Sequence, residues 1–112
     1  MRRGFSMKRQ EIDQHAAHEL ELYIENTSEL YNQKKSIMAN LKKKHAKHVY
    51  DPAKAAKLWG HWVQEGAKRY VKEFGTPGQN VSDLGFNKAT REHVAKELER
   101  SFFNDELRLN VS

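Results

Sequence analysis

The chain has 112 residues and 13.1 kDa, of which 38% are hydrophobic and 31% charged, with a net charge of +5 and no cysteine. This length suits one domain with a modest core, and the missing cysteines exclude disulfides, thiolate nucleophiles and cysteine-ligated zinc sites. No apolar run approaches the roughly 18 residues of a membrane helix, and residues 1–7 are too short and polar for a secretory signal, so we expect a cytoplasmic protein.

Apolar residues recur at helical spacing through most of the sequence, and the alternating pattern typical of strands is missing. We therefore predict an all-α fold, a compact bundle of about four helices. The first helix is predicted from about Arg9 to Glu25, because Ile12, Leu20 and Ile24 share one face. The segment 26–29 then predicts a break, since its Asn, Thr and Ser residues can each cap a new helix.

The second helix is predicted from roughly Ser28 to His48. Leu30, Ile37 and Leu41 form its apolar seam, which ends where residues 42–48 place cations on every side of the helix. Ammonium groups without partners lose their hydration when they are buried. We therefore expect the end of this helix to project beyond the core.

Asp51 and Pro52 mark the clearest boundary in the chain, because Asp caps free amides and Pro suits the first helical position. The third helix is predicted to begin there and to end at about Phe74. Its opposite faces are an apolar side and a basic stripe. The residues predicted on the apolar side are Ala55, Ala56, Trp59, Val63, Gly66, Ala67, Tyr70 and Phe74. The segment 75–85, which holds three of the six glycines and one of the two prolines, predicts a loop.

The last helix is predicted from about Asn87 to Asn104, where apolar residues again share one face. We expect residues 1–8 to form a flexible basic tail and residues 105–112 to form a loose C-terminal tail. Residues 9–104 would then make up a single helical domain, with the Gly/Pro loop before its last helix.

Positive charge is concentrated in the middle of the chain. Residues 31–75 hold eleven basic and three acidic side chains, whereas the segments on both sides are slightly acidic. On the third helix a stripe about 60° wide contains Lys54, Lys57, His61, Lys68 and Lys72. A concentrated basic patch is typical of proteins that bind polyanions, although a solvated helix face has the same composition.

The candidate nucleic-acid-binding residues share a position at the end of the second helix or on the basic stripe of the third. They are Lys42, Lys43, Lys44, Lys47, Lys54, Lys57, Lys68 and Lys72. Trp62, near Leu58 at the edge of the apolar face, is a candidate for stacking on a base or contacting a partner, and core packing is its alternative. Gly60 and Gly66, which are unfavourable inside a helix, indicate close packing against another element.

The first helix also contains residue types that bind metals, namely Glu11, His15, His18 and Glu19. One helix does not complete a metal site, and the other predicted helices offer no matching set. The sequence contains no nucleophile elbow, P-loop, dinucleotide-binding or zinc-protease motif. We therefore predict no metal, no cofactor and no catalytic activity.

Several short strings resemble a family of small helical proteins encoded in bacteriophage and prophage genomes. The strings are Glu21–Asn26, Leu30–Tyr31, Asn40–Leu41, Tyr50–Asp51, Lys54–Ala55, Gly66–Tyr70 and Lys72–Phe74, with a weaker similarity in 86–88 and 91–95. The family has no established activity, so the resemblance assigns no functional residue. It implies an accessory protein that acts inside a bacterium.

The sequence thus predicts a protein that binds a polyanion through a lysine-rich helical surface, with nucleic acid as the favoured partner. One alternative is an inhibitor that binds a host protein, a defence protein or a ribonucleoprotein complex. Its affinity would depend on the apolar edge near Leu58 and Trp62 and would survive high salt. A second alternative is a structural homo-oligomer, whose mass would depend on concentration.

Overall fold

The computed structural model describes residues 11–107, which form four α-helices and two short helical segments. The α-helices are α1 (Gln14–Asn26), α2 (Ser28–Ala46), α3 (Pro52–Phe74) and α4 (Lys88–Ser101). A 3-10 helix, Val81–Leu84, lies in the loop between α3 and α4, and a π-helical turn, Phe102–Glu106, follows α4. Residues 11–107 contain no strand. The predicted all-α bundle is confirmed.

α3 is the central helix, and its most extensive interface is with α4. α1 packs against each of the other three helices, whereas α2 lies mainly against α1 and the π-helical turn. Trp59, Val63 and Val94 are fully buried where α3 meets α4. Leu20 and Ile24 complete this single core from α1, so all four helices share one apolar interior.

α1 begins later than the sequence predicts. Asp13 has an extended backbone and its carboxylate accepts a hydrogen bond from the Ala16 amide (3.0 Å), so it caps a helix that starts at Gln14. The Asp13 amide also donates to Thr90 Oγ1 in α4 (2.9 Å). Residues 11–13 are therefore not helical, and Ile12 is 39% exposed instead of belonging to the core. The predicted start at Arg9 lies outside the described residues.

α3 has the predicted boundaries. The Asp51 carboxylate accepts hydrogen bonds from the amides of Ala53 (3.0 Å) and Lys54 (3.4 Å), with Pro52 as the first helical residue. The predicted apolar side is wrong at Ala56, which is exposed, and at Phe74, which is 60% exposed. α4 does not cover Ala56, and Phe74 lies in the last helical position.

The C-terminal prediction is partly wrong. α4 ends at Ser101, but the chain remains helical as a π turn through Glu106, with Phe102 fully buried. Leu107 packs against the core, so residues 105–107 are not a loose tail. Residues 108–112 and the predicted N-terminal tail, 1–8, lie outside the described part of the chain. None of the helices within 11–107 is long and apolar enough to cross a membrane.

Candidate nucleic-acid interface

α2 ends in a tight turn that returns the chain into α3. His48 has a φ of 61°, in the left-handed region. Its amide donates to the His45 carbonyl (3.1 Å), and the Val49 amide donates to the Lys44 carbonyl (2.9 Å). This pair of bonds is the Schellman arrangement, in which glycine usually takes the left-handed position because it has no Cβ. His48 therefore makes the turn at a cost in backbone strain. α2 also stops two residues before the predicted His48 end for this reason.

This turn gathers lysines from both helices at one end of the bundle. We call them the basic end: Lys42, Lys43, Lys44, Lys47, Lys54 and Lys57. All are exposed, as the sequence predicts, and none forms an ion pair with a carboxylate of residues 11–107. Asp51 is the single acidic residue between positions 42 and 57, and its carboxylate is engaged at the start of α3. None of these six lysines is thus neutralised by an ion pair within residues 11–107, although Glu92 and Glu99 of α4 lie near Lys57.

The lysine row, defined as Lys54, Lys57, Lys68 and Lys72, continues the positive surface along α3. All four side chains are exposed on one face of the helix. At 1.5 Å per residue the row is about 27 Å long. Lys68 Nζ lies 3.4 Å from a carboxylate oxygen of Glu65, whereas Lys54 and Lys57 have no such neighbour among residues 11–107. Three of the four lysines of the row, Lys54, Lys57 and Lys72, thus have no ion pair among residues 11–107.

Trp62 is not an exposed stacking residue. It is 8% exposed, its indole N–H donates to Gln33 Oε1 of α2 (3.2 Å), and its ring packs edge to face on Trp59 at 5.9 Å. These contacts fix α3 against α2 and leave little ring surface for a base. Leu58, one turn earlier, is 39% exposed and remains a surface residue. Sequence reasoning could not find Gln33, because that partner lies on another helix.

A groove of about 440 Å³ lies on the surface between α3 and α4, beside the lysine row. Trp59, Gly60 and Ala95 line it, and Lys57 belongs both to the groove and to the basic end. The charged groups around it are Lys57, Lys88, Arg91, Glu92, Lys96 and Glu99. The structure thus adds five charged positions of α4 that the sequence analysis did not connect with the lysines of α3, because helix pairing is not visible in local spacing.

The two glycines of α3 are not sites of close packing. No atom of another element lies within 4 Å of the position that a Cβ would take at Gly60 or Gly66. At Gly60 this open space belongs to the groove. The predicted explanation for both glycines is therefore wrong, and Gly60 instead keeps part of the groove open.

Two buried polar groups in residues 11–107 have no hydrogen-bond partner, the indole N–H of Trp59 and the hydroxyl of Tyr50. Trp59 is fully buried and lines the groove. The Tyr50 ring contacts Phe102 and Phe103. Burial raises the pKa of the Tyr50 hydroxyl, and the negative charge of Glu99 raises it further. Buried polar groups are normally paired, so these two are exceptions.

At the opposite end of α3, charged side chains form ion pairs and hydrogen bonds with the other helices. Arg69 forms an ion pair with Glu29 of α2, and the Tyr23 hydroxyl of α1 donates to Glu73 (2.7 Å). Burial and the hydrogen bond to Glu73 raise the pKa of Tyr23, although Arg69 opposes this shift. The positive charge of Arg69 is therefore engaged in contacts among three helices.

The metal-binding residue types near the start of α1 are Glu11, His15, His18 and Glu19. Within the described range no group of three or more His, Asp or Glu side chains lies together as a metal site requires. The geometry thus gives no basis for assigning a metal to α1.

The basic end can contact several anionic groups at once. Lysine ammonium groups act as compact point charges with three donors each, which suits phosphates without requiring one fixed geometry.

Comparison of the chain with protein-family models, curated proteins and solved structures finds no match. The resemblance to phage proteins therefore stays a prediction.

Proposed function

We propose that the protein binds nucleic acid through the basic end and the lysine row, without catalysing a reaction on it. The observation that carries the proposal is the group of six exposed lysines at the α2–α3 turn, none paired with a carboxylate of residues 11–107. Such cations keep their full charge for an external polyanion, and their contacts with phosphates release condensed counterions.

The dimensions of the lysine row support contact with several consecutive phosphates. A row of about 27 Å spans about eight steps of a strand, at roughly 3.4 Å per phosphate along duplex DNA. Contacts to phosphates position a protein without reading the bases. We therefore expect the lysines to supply affinity and little sequence preference.

The resemblance to phage and prophage proteins adds a setting to this proposal. A small basic protein without catalytic motifs can coat or bridge nucleic acid inside a bacterial cell. We propose a role during phage replication or in regulation, where binding alone is sufficient.

The direct test is the anisotropy of labelled single-stranded and duplex DNA and RNA, titrated with the protein at several salt concentrations. The variant Lys43→Gln/Lys54→Gln should lower the salt slope on duplex DNA by about 1.8, since each lost phosphate contact removes about 0.9. Lys35→Glu is the matched control, because it changes the net charge equally at an exposed α2 position outside the basic end. Its slope should change much less.

Two results would overturn the proposal. One is the lack of binding by the wild-type protein at about 50 mM salt, where phosphate contacts are strongest. The other is an equal loss with Lys35→Glu and with the double variant, because net charge alone would then explain the affinity. Circular dichroism of all three proteins checks that each remains helical.

Binding to a host or defence protein is the second candidate. This candidate is favoured by two exposed apolar side chains, Val49 within the segment that carries the basic end and Leu58 directly after it. An acidic protein partner would use these side chains as well as the lysines, and its affinity would resist salt. Leu58→Ser should then weaken binding to a protein and leave binding to DNA or RNA unchanged.

A further inference from the structure

We propose that a pocket between the end of α3 and the loop after it binds a phosphate group with two negative charges, which a bound strand supplies at its phosphorylated end. This inference rests on the proposed nucleic-acid binding. The loop pocket, as we call it, is lined by Lys68, Val71 and Lys72 of α3 and by residues 75–81 of the loop. Its volume of about 630 Å³ lies within the usual range of small-molecule sites, so it has room for a terminal nucleotide with its phosphate.

The loop pocket lies where the lysine row ends. Lys68 and Lys72 are the last two members of the row, and both line the pocket. The loop folds back beside α3, because its residues share this lining with Lys68, which lies about two helical turns before Gly75. A strand that follows the row from the basic end therefore meets the loop here. The pocket is thus placed to receive the end of a strand.

The loop is closed by contacts of its own. The Gln79 amide donates to the Thr76 carbonyl (3.1 Å), and Gly78 between them has a φ of 85°, as the third residue of a type II turn requires. A Cβ at Gly75 would lie 2.6 Å from Gln79 Oε1 and 2.7 Å from the Val71 carbonyl oxygen, so the loop packs closely against the end of α3. It therefore forms a fixed wall of the pocket.

Two side-chain amides of the loop have their acceptor oxygens engaged. Gln79 Oε1 accepts hydrogen bonds from the amide (2.8 Å) and the hydroxyl (3.3 Å) of Thr76. Asn80 Oδ1 accepts one from the Asp83 amide (3.2 Å). Each of these amides also has an NH2 group with two donors, and neither group is bonded to another residue of 11–107. Since both residues line the pocket, these donors remain for an anion.

The charged residues that line the loop pocket are both cations. Within the described chain no carboxylate belongs to its lining. Glu65 and Glu73 lie beside Lys68 and Lys72 in a neighbouring surface depression, and Glu65 is 3.4 Å from Lys68 Nζ. Lys72 forms no ion pair among residues 11–107. Two ammonium groups suit a terminal phosphate, with its second negative charge, better than a phosphodiester with one.

The first test measures the anisotropy of strands of one sequence that carry either a phosphate or a hydroxyl at the 5′ end, and separately at the 3′ end. We expect a phosphate at one of these ends to tighten binding about fivefold, because it gains charge-assisted hydrogen bonds. Lys72→Gln should remove this preference. Lys57→Gln is the matched control, since it removes a lysine of the same row outside the loop pocket. It should weaken the binding of both strands equally and keep the preference.

The second test needs no nucleic acid. Nitrogen-15 NMR spectra follow the side-chain NH2 signals while inorganic phosphate replaces chloride at constant ionic strength. We expect the signals of Gln79 and Asn80 to shift at millimolar phosphate, and to shift much less in Lys72→Gln. Gln33 of α2 is the internal reference, because its Oε1 is also bonded, to Trp62, but it lies outside the loop pocket.

Several results would overturn the inference. Unchanged signals of Gln79 and Asn80 would exclude the loop pocket as a phosphate site. Equal affinity for strands with and without a terminal phosphate would exclude the strand end as the source, even if inorganic phosphate shifts both signals. A preference that Lys72→Gln retains would place the recognition of the phosphate elsewhere.

The two proposals fail in distinguishable ways. Oligonucleotide binding that depends on the basic end, without any effect of a terminal phosphate, would refute the role of the loop pocket alone. Shifts with inorganic phosphate but no binding of oligonucleotides would refute both proposals, because the loop pocket would then take free phosphate and no strand.

Discussion

The two ends of the α2–α3 pair hold cations in different surroundings. At one end Arg69 is paired with Glu29 and lies beside the bonded Tyr23 and Glu73, so its charge helps to join three helices. At the basic end the lysines are exposed and unpaired within residues 11–107. The difference shows that a basic side chain paired with an acid stabilises the contacts between helices. A basic side chain without such a pair keeps its charge available to a partner.

Substitution of Trp62, in the middle of α3, has the largest expected effect and tests whether this position joins helices or binds nucleic acid. Trp62→Ala should lower the free energy of unfolding by about 3–5 kcal/mol, because it leaves a cavity beside Trp59 and removes the bond to Gln33. Chemical denaturation measures the loss. Affinity for nucleic acid should not change at a temperature where the variant is folded.

Trp62→Phe serves as the milder variant if Trp62→Ala does not fold. Reduced affinity together with an unchanged free energy of unfolding would move Trp62 from the helix interface to the binding surface. The distinction between cohesive and binding positions along α3 would then be wrong at its centre.

At the paired end, Tyr23→Phe should lower the free energy of unfolding at neutral pH by about 1 kcal/mol, through loss of the hydrogen bond to Glu73. The pKa of Tyr23 is raised in the folded protein, so the unfolded chain loses this proton first as the pH increases. Stability should therefore fall above about pH 10, the usual pKa of tyrosine.

Denaturation curves from neutral to alkaline pH measure both effects. Part of the alkaline loss should disappear in Tyr23→Phe, while the remainder includes Tyr50, whose pKa is also raised. An identical pH dependence in the variant and the wild type would show that Tyr23 does not contribute through ionisation.

At the basic end, His48→Gly should raise the free energy of unfolding by about 0.5–1 kcal/mol, because glycine adopts the left-handed backbone without strain. His48→Ala is the matched control, since it also removes the imidazole but keeps a Cβ. Thermal melting distinguishes the two. Equal melting temperatures for the two variants would mean that the backbone at position 48 is not the source of the effect.

The sequence predicts α3 well because its signals are local. Asp51 and Pro52 act within one helical turn, and the exposed lysines follow from the cost of burying unpaired charge. The predicted start of α1 is too early, because apolar spacing at Ile12 indicates helix and outweighs the local cap signal of Asp13, which bonds the Ala16 amide. The bond from the Asp13 amide to Thr90, 77 residues away, could not be read from local spacing.

The candidate site was predictable in part for the same reason. Each lysine of the basic end could be identified from charge alone, whereas the burial of Trp62 depends on Gln33 of another helix. The groove depends on how α3 and α4 approach each other. Gly60 is the one local feature of the sequence that belongs to the groove. The sequence alone does not tell whether such a glycine allows close packing of another helix or leaves open space, as it does here.

The lysines of the basic end also repel one another. Like charges held at the junction of two helices oppose folding, and the left-handed His48 adds strain at the same place. The part of the molecule best suited to attract a polyanion is therefore also a source of instability in its absence. A bound strand would relieve that repulsion, so occupancy and resistance to unfolding should increase together.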